Sequence, residues 1–117
     1  MNRKLDAAIA EALGYDVQDW TDRPVNPDFW MHNGDLRWYK VPKYSTDGNA
    51  MLQLDAEMRE RGWVIDIGHY ANCWMVNYLN MDSNDKLLIG KGQAVNELLA
   101  RALAAYNALT GKVWGTT

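Results

Sequence analysis

Apolar positions along the chain fall into two periods, one helical and one alternating. Leu5, Ala8, Ile9, Ala12 and Leu13 recur three and four residues apart, which predicts a helix from about Asn2 to Leu13. Gly14 follows as its terminator. Ser45, Thr46 and Asp47 offer N-caps to a second helix, whose apolar stripe is Ala50, Met51, Leu54 and Met58. Glu57, Arg59, Glu60 and Arg61 fall on its wet side, and Gly62 closes it. A third helix is predicted from about Gln93 to Leu109. Val95, Leu98, Leu99, Ala102, Leu103 and Tyr106 form its stripe, and Gly111 ends it.

Between the helices the period changes to two. Asp28 to His32 and Asp35 to Lys40 are aromatic-rich runs flanking Asn33-Gly34, a pair suited to the positive φ angles of a tight hairpin turn, and Pro42 ends the second run. Trp63 to Ile67 alternates as a strand, Gly68 to Asn72 reads as a turn, and Cys73 to Asn80 is the next strand. Lys86 to Gly90 is a short fifth strand after the polar turn Asp82 to Asp85, and Gly90-Lys91-Gly92 reads as a break. Residues 15–28, with Pro24 and Pro27, read as an irregular connection.

The resulting order is α-β-β-α-β-β-β-α. Short turns imply antiparallel neighbours, and apolar residues at both parities of the last two strands imply a sheet covered on both faces. The expectation is an α/β chain of the α+β type: a three-layer α-β-α sandwich with one five-stranded antiparallel sheet and three helices. It is a single domain over 1–117 with a short tail at 112–117.

Composition narrows the function classes. At 117 residues there is material for one core, and 48% hydrophobic with 23% charged residues is ordinary for a globular chain. A net charge of −3, with basic residues scattered among acidic ones, argues against a duplex nucleic-acid binder, which needs clustered cations to release counterions. The lone Cys73 permits neither an intrachain disulfide nor a cysteine-based zinc site. No window approaches the roughly 20 apolar residues of a membrane span, and the N-terminus reads as an amphipathic helix instead of a signal peptide. Neither a membrane partner nor export is expected. Six Trp and six Tyr stand against a single Phe, an excess of side chains with an apolar body and a polar tip.

Three stretches carry a family likeness: Ala8 to Tyr15 with its Gly-aromatic ending, Tyr44-Ser45-Thr46-Asp47-Gly48-Asn49-Ala50-Met51 entering the central helix, and the alanine-rich last helix. On these the chain resembles the phage ABA-sandwich domain, a family of small bacteriophage and prophage proteins. The resemblance implies an α-β-α sandwich, phage origin and a place in the host bacterial cytoplasm. It implies no reaction. The meander from Asn72 to Lys91 and the tail after Gly111 depart from the family pattern.

Candidate chemistry is sparse. Gly90-Lys91-Gly92 before a helix faintly suggests an anion contact, but the spacing of a phosphate loop is missing. His32 and His69 lie in or beside turns near Asp28, Asp35 and Asp66, without a spacing that gathers metal ligands. Cys73 and His69 lack an orienting carboxylate for a nucleophilic pair, and Asp66 between Ile65 and Ile67 reads as an outward polar position. No catalytic residue, metal or cofactor is assigned. The set worth pursuing is aromatic and cationic: Arg61, Trp63, Tyr70, Trp74, Asn77, Tyr78 and Arg101. Flat rings and guanidinium planes stack on bases, and arginine pairs with phosphate.

The leading expectation is a non-enzymatic phage accessory protein that binds and sequesters a small nucleotide-type host signal. The alternative is a protein-binding inhibitor of a host defence enzyme such as a CRISPR effector, using the carboxylates Asp16, Asp19, Asp22 and Asp28. A hydrolase or nuclease is a distant third. Homo-oligomerisation is expected under either leading reading, with Val113-Trp114 as a swapped contact.

Overall fold

The computed structural model describes residues 2–34 and 37–115. Its order is α1 (Arg3–Ala12), β1 (Asp16–Trp20), β2 (Asp28–His32), β3 (Tyr39–Lys40), α2 (Gly48–Glu60), β4 (Val64–Tyr70), β5 (Cys73–Met81), β6 (Leu87–Ala94) and α3 (Glu97–Thr110). The chain is a mixed α+β fold; among the described residues it has three helices and two antiparallel sheets of three strands, β1-β2-β3 and β4-β5-β6.

This departs from the expected single five-stranded sheet. The sixth strand is β1, inside the stretch read as an irregular connection. Its sequence, Asp-Val-Gln-Asp-Trp, offers one aliphatic side chain, Val17, so it carries little apolar signal. It pairs along its whole length with β2. The β2–β3 hairpin is also wider than an Asn33-Gly34 turn would make it: Met31 pairs with Tyr39 and Trp30 with Lys40. Gly34 does adopt a positive φ of 94°. The expected strand residues Asp35 and Leu36 lie outside the described residues.

Helix boundaries follow their caps. The Asp47 side chain accepts from the Asn49 amide and the Asn96 side chain from the Leu99 amide, so α2 and α3 each start one residue later. Gly111, at φ 73°, ends α3 in the left-handed cap conformation. The β4–β5 turn is two residues, Ala71 and Asn72, both at positive φ, and so Gly68 to Tyr70 belong to the strand.

The Gly90-Lys91-Gly92 break is not one. β6 runs straight through it to Ala94, and α3 begins only at Glu97. A β-carbon on Gly90 would overlap Ala108, and one on Gly92 would overlap the Ala100 carbonyl oxygen and the Ala104 amide nitrogen. The glycines let α3 lie directly on β6 with its alanine stripe Ala100, Ala104 and Ala108, and the Lys91 amide donates to Asn107 Oδ1. They are a packing device, not a phosphate cradle.

The core lies where α1, α2 and α3 meet the inner sides of both sheets. Leu5 and Ile9 of α1, Met51, Leu54 and Met58 of α2, and Val76 and Tyr78 of β5 are its large, fully buried members. The small residues Ala102 and Ala105 complete the buried side of α3. β4-β5-β6 is covered by helix on one face only. Its other face, with Val64, Met75, Met81, Leu87 and Ile89, is exposed, so the two-parity apolar pattern is present while the second helical cover is not found among the described residues. No helix is long and apolar enough to cross a membrane.

Candidate functional site

The outward face of the β1-β2-β3 sheet gathers Trp20, Trp30, His32 and Trp38 in mutual ring contact. Register puts Asp16 opposite His32, Gln18 opposite Trp30 and Trp20 opposite Asp28, all on the side away from the core, while Val17, Phe29 and Met31 point inward. Lys40 stands opposite Trp30 on the same outward side. Trp20 lies between two other tryptophans, its ring centroid 4.8 Å from that of Trp38 and 6.1 Å from that of Trp30. His32 meets Trp38 edge-on at 4.2 Å.

Cations cover these rings. The Arg23 guanidinium lies 4.5 Å from the Trp20 centroid and the Lys40 ammonium 5.8 Å from that of Trp30, distances at which the ring quadrupole attracts a cation. Among the described residues neither Arg23 nor Lys40 is held in an ion pair. The neighbouring carboxylates are engaged instead. Asp28 takes two hydrogen bonds from Arg3, Asp16 lies 3.1 Å from His32 Nε2, and Asp19 accepts from the Thr21 hydroxyl and amide. The Thr21 bonds hold the Asp19 carboxyl below its ordinary value. The surface therefore offers flat rings and two positive charges that, among the described residues, are held by rings and not by carboxylates, the combination that stacks a base and neutralises a phosphate.

The residues singled out from sequence do not gather into one site. Trp63 and Tyr78 are core. The Tyr78 hydroxyl donates to Asp55 Oδ1 at 3.3 Å, and burial with the nearby Asp55 charge pushes the phenol well above its usual range. Trp74 is half-buried on the helix side of β5, its ring 4.4 Å from that of His69. Tyr70 and Asn77 lie on the opposite, outward face of that sheet. Arg101 lies along α3 with Nη1 3.9 Å from Glu97, and its Nε is buried without a partner among the described residues. Arg61 caps another helix, donating from Nη2 to the Leu13 carbonyl at 2.7 Å.

Arg61 also edges a cleft of about 220 Å³ with Gly14, Tyr15, Asn33 and Glu57. There the Tyr15 hydroxyl donates to Glu57 Oε1 at 2.8 Å, a bond that, with partial burial, raises the Tyr15 phenol. Two of its polar side chains, Tyr15 and Glu57, are bonded to each other, and Arg61 is held by the Leu13 carbonyl.

His69 and Cys73 occupy opposite faces of the β4–β5 hairpin, because His69 pairs with Trp74 and Cys73 with Tyr70. The Cys73 thiol points toward the Ala94 carbonyl. Among the described residues no three His, Cys, Asp or Glu side chains converge as a metal site would require. Trp114, expected as a swapped contact, packs edge-on against Tyr106 of its own chain at 5.2 Å.

Sequence reasoning missed Trp20, Trp30 and Trp38 as a group because only the β1–β2 pairing brings Trp20 to the other two. One signal was available. Trp20 and Arg23 flank a short polar turn just as Trp38 and Lys40 flank one position, so ring and cation recur together on both sides of the aromatic hairpin. No protein-family model, curated protein or solved structure matches the chain.

Proposed function

We propose that this chain is a non-enzymatic binding protein that holds a small nucleotide-type ligand on the tryptophan face of its first sheet. The observation that carries the reading is the set Trp20, Trp30 and Trp38 on one solvent face, with Arg23 over Trp20, Lys40 over Trp30 and, among the described residues, no ion pair claiming either cation. A base entering over Trp30 displaces the Lys40 ammonium from the ring toward the ligand's phosphate, while the Trp38 ring carries no cation among the described residues and is open to stacking, so stacking and charge pairing strengthen together. In the phage setting that the family resemblance implies, such a protein sequesters a nucleotide signal of host defence in the host cytoplasm.

The alternative, an acidic inhibitor of a host defence enzyme, draws less support. Of the four carboxylates it would use, Asp16, Asp19 and Asp28 are occupied by partners within the chain.

Calorimetric titration against cyclic nucleotides and cyclic ADP-ribose isomers, followed in parallel by tryptophan fluorescence, tests the reading. Saturable heat with quenching is expected for at least one ligand, together with a salt-dependent affinity from the phosphate contact. Absence of heat and quenching across the whole set overturns it.

A further inference from the structure

The outward face of β4-β5-β6 carries a pattern that its own chain does not use. Register aligns its side chains in rows across the three strands: Val64, Leu79 and Ile89 in one row, Asp66, Asn77 and Lys91 in the next, Gly68, Met75 and Gln93 in the third. The first row is apolar throughout, and Val64 keeps 64% of its surface exposed. The second row has an acid at one edge, an amide in the middle and a base at the other edge. With strands about 4.8 Å apart, the α-carbons of Asp66 and Lys91 are separated by roughly 10 Å across the sheet, with Asn77 between them. Among the described residues neither is held in an ion pair.

A charge row that reverses sign from edge to edge becomes self-complementary under one particular symmetry. A two-fold axis running along the middle strand lays β4 of one copy over β6 of the other. We propose that this face is a homodimer interface with its two-fold axis parallel to β5. Asp66 then faces Lys91 of the partner subunit, and Lys91 faces Asp66 of the partner subunit. Leu79, Met75 and Asn77 lie on the axis, and the apolar row closes on its own counterpart. The other in-plane axis, perpendicular to the strands, sets Asp66 against its own copy and Lys91 likewise, two like-charge contacts that oppose association. Sheets stacked face to face with their strands within about 30° of parallel are a common packing, so the favoured axis is also sterically ordinary.

Both ends of the face fit that arrangement. The Tyr70 ring folds over Gly68, with a ring carbon 2.9 Å from where a β-carbon would sit, and so projects beyond the edge row with 68% exposure. Opposite, along β6, a cleft of about 250 Å³ is bounded by Met75, Lys91, Gln93 and Val113. The two-fold brings Tyr70 of the partner subunit to that cleft. The footprint, three strands of seven to nine residues, measures roughly 27 by 14 Å in plan. That is smaller than the ~800 Å² per partner of a standard interface, which points to a reversible dimer. The tryptophan face lies on the other sheet and stays free in both copies, so dimerisation and ligand binding are tested separately.

Sedimentation velocity over a concentration series tests the proposal on the full chain, with circular dichroism confirming that each variant is folded. The unmodified protein is expected to shift from monomer to dimer as concentration rises. Asp66→Lys alone and Lys91→Asp alone each place two like-charge pairs across the interface and are expected to weaken association about a hundredfold. An equimolar mixture of the two variants, each monomeric by itself, restores both attractive pairs and is expected to form a heterodimer, as is the double variant with itself. A protein monomeric throughout the series, a dimer indifferent to either single reversal, or a mixture that stays monomeric overturns the proposal.

Discussion

The two sheets are attached to the same helices by opposite means. β4-β5-β6 is held by shape: Gly90 and Gly92 strip side chains from β6 so that the alanine stripe of α3 rests on its backbone. β1-β2-β3 is held largely by a polar clamp. Arg3 of α1 reaches Asp28 of β2, the carbonyls of Val41 and Pro42 just after β3, and Asp6 on its own helix. Asp6, fully buried, also accepts from the Ser45 amide. Among the described residues, Val17, Phe29, Met31 and Val41 add apolar contact from this side. The difference teaches where the molecule keeps its stability and where it keeps its exposed chemistry. The tightly seated sheet buries its Trp63 and Tyr78, while the clamped sheet is free to turn three tryptophans outward.

The largest effect is expected where shape alone holds a sheet. Gly92→Val drives two branches into the backbone of α3 at Ala100 and Ala104, neither of which can move without lifting the helix. Overpacking against backbone is expected to cost about 4 kcal/mol or more, read as a lower urea midpoint at unchanged slope. A loss below about 1 kcal/mol would mean that α3 is not seated as tightly as the glycines indicate.

Breaking the clamp comes next. Arg3→Met keeps the stem of the side chain but leaves the buried Asp6 without its cation and Asp28 with the Phe29 amide alone of its three donors. Removing one partner of a buried pair costs about 3 kcal/mol here, less than for a fully dry pair because Arg3 is partly exposed. Because the clamp joins the first sheet to α1, hydrogen exchange is expected to rise in β1 and β2 well before β5 and β6. Uniform loss of protection in both sheets would erase the contrast.

Alkaline titration separates the two regions more finely. Burial raises the phenols of Tyr78, beneath the second sheet, and Tyr44, beside the clamp. A raised folded value means that the unfolded chain releases its protons first, near pH 10. Stability from these groups is therefore complete below pH 10 and is lost as pH rises through the folded values, by up to about 1.4 kcal/mol per pH unit for each phenol. Tyr78→Phe costs about 1 kcal/mol at neutral pH through the lost bond to Asp55 and makes the alkaline decline shallower by one proton. An unchanged alkaline slope in that variant would place Tyr78 outside the titration.

Much of this contrast is legible in the sequence, and the reason it stops is physical. The apolar period places all three helices, and Gly14, Gly62 and Gly111 end them at positive φ. The stripe read for α3 is corrected: Val95 lies before the helix and is exposed, and the fully buried positions are Ala100, Ala102, Ala104 and Ala105, because α3 lies against the glycines of β6, where only alanine fits. β5 is equally plain from its alternation. Gly90 and Gly92 mislead because a glycine that permits close approach and one that breaks a strand look identical until the facing helix is known. β1 is hidden because Asp16 and Gln18 precede Trp20 on its outward side and its inward side has a single aliphatic residue, Val17, beside Asp19. The tryptophan face is hidden with it, since no local period links Trp20 to Trp38. Residues chosen for stacking chemistry by nearness in sequence, such as Trp63 and Tyr78, were instead drawn into the core by their size.

The smallest expected effect on stability carries the most about function. Trp38 borders the described end of the β2–β3 loop and packs against the rings of Trp20 and His32, on the solvent side of a sheet whose core contacts lie on its other face. Trp38→Ala removes no core contact, so its cost to folding is expected to stay below about 1 kcal/mol, as for most exposed substitutions. A stacking ring is worth about 1–3 kcal/mol of binding, so affinity for any nucleotide that binds the wild type is expected to fall by roughly 5- to 150-fold. Trp74→Ala, on the helix side of the other sheet, reverses the profile, with a larger cost in stability and unchanged affinity after correction for the folded fraction. A ligand whose affinity follows Trp74 and ignores Trp38 would move the binding surface to the second sheet and undo the division of labour between the two.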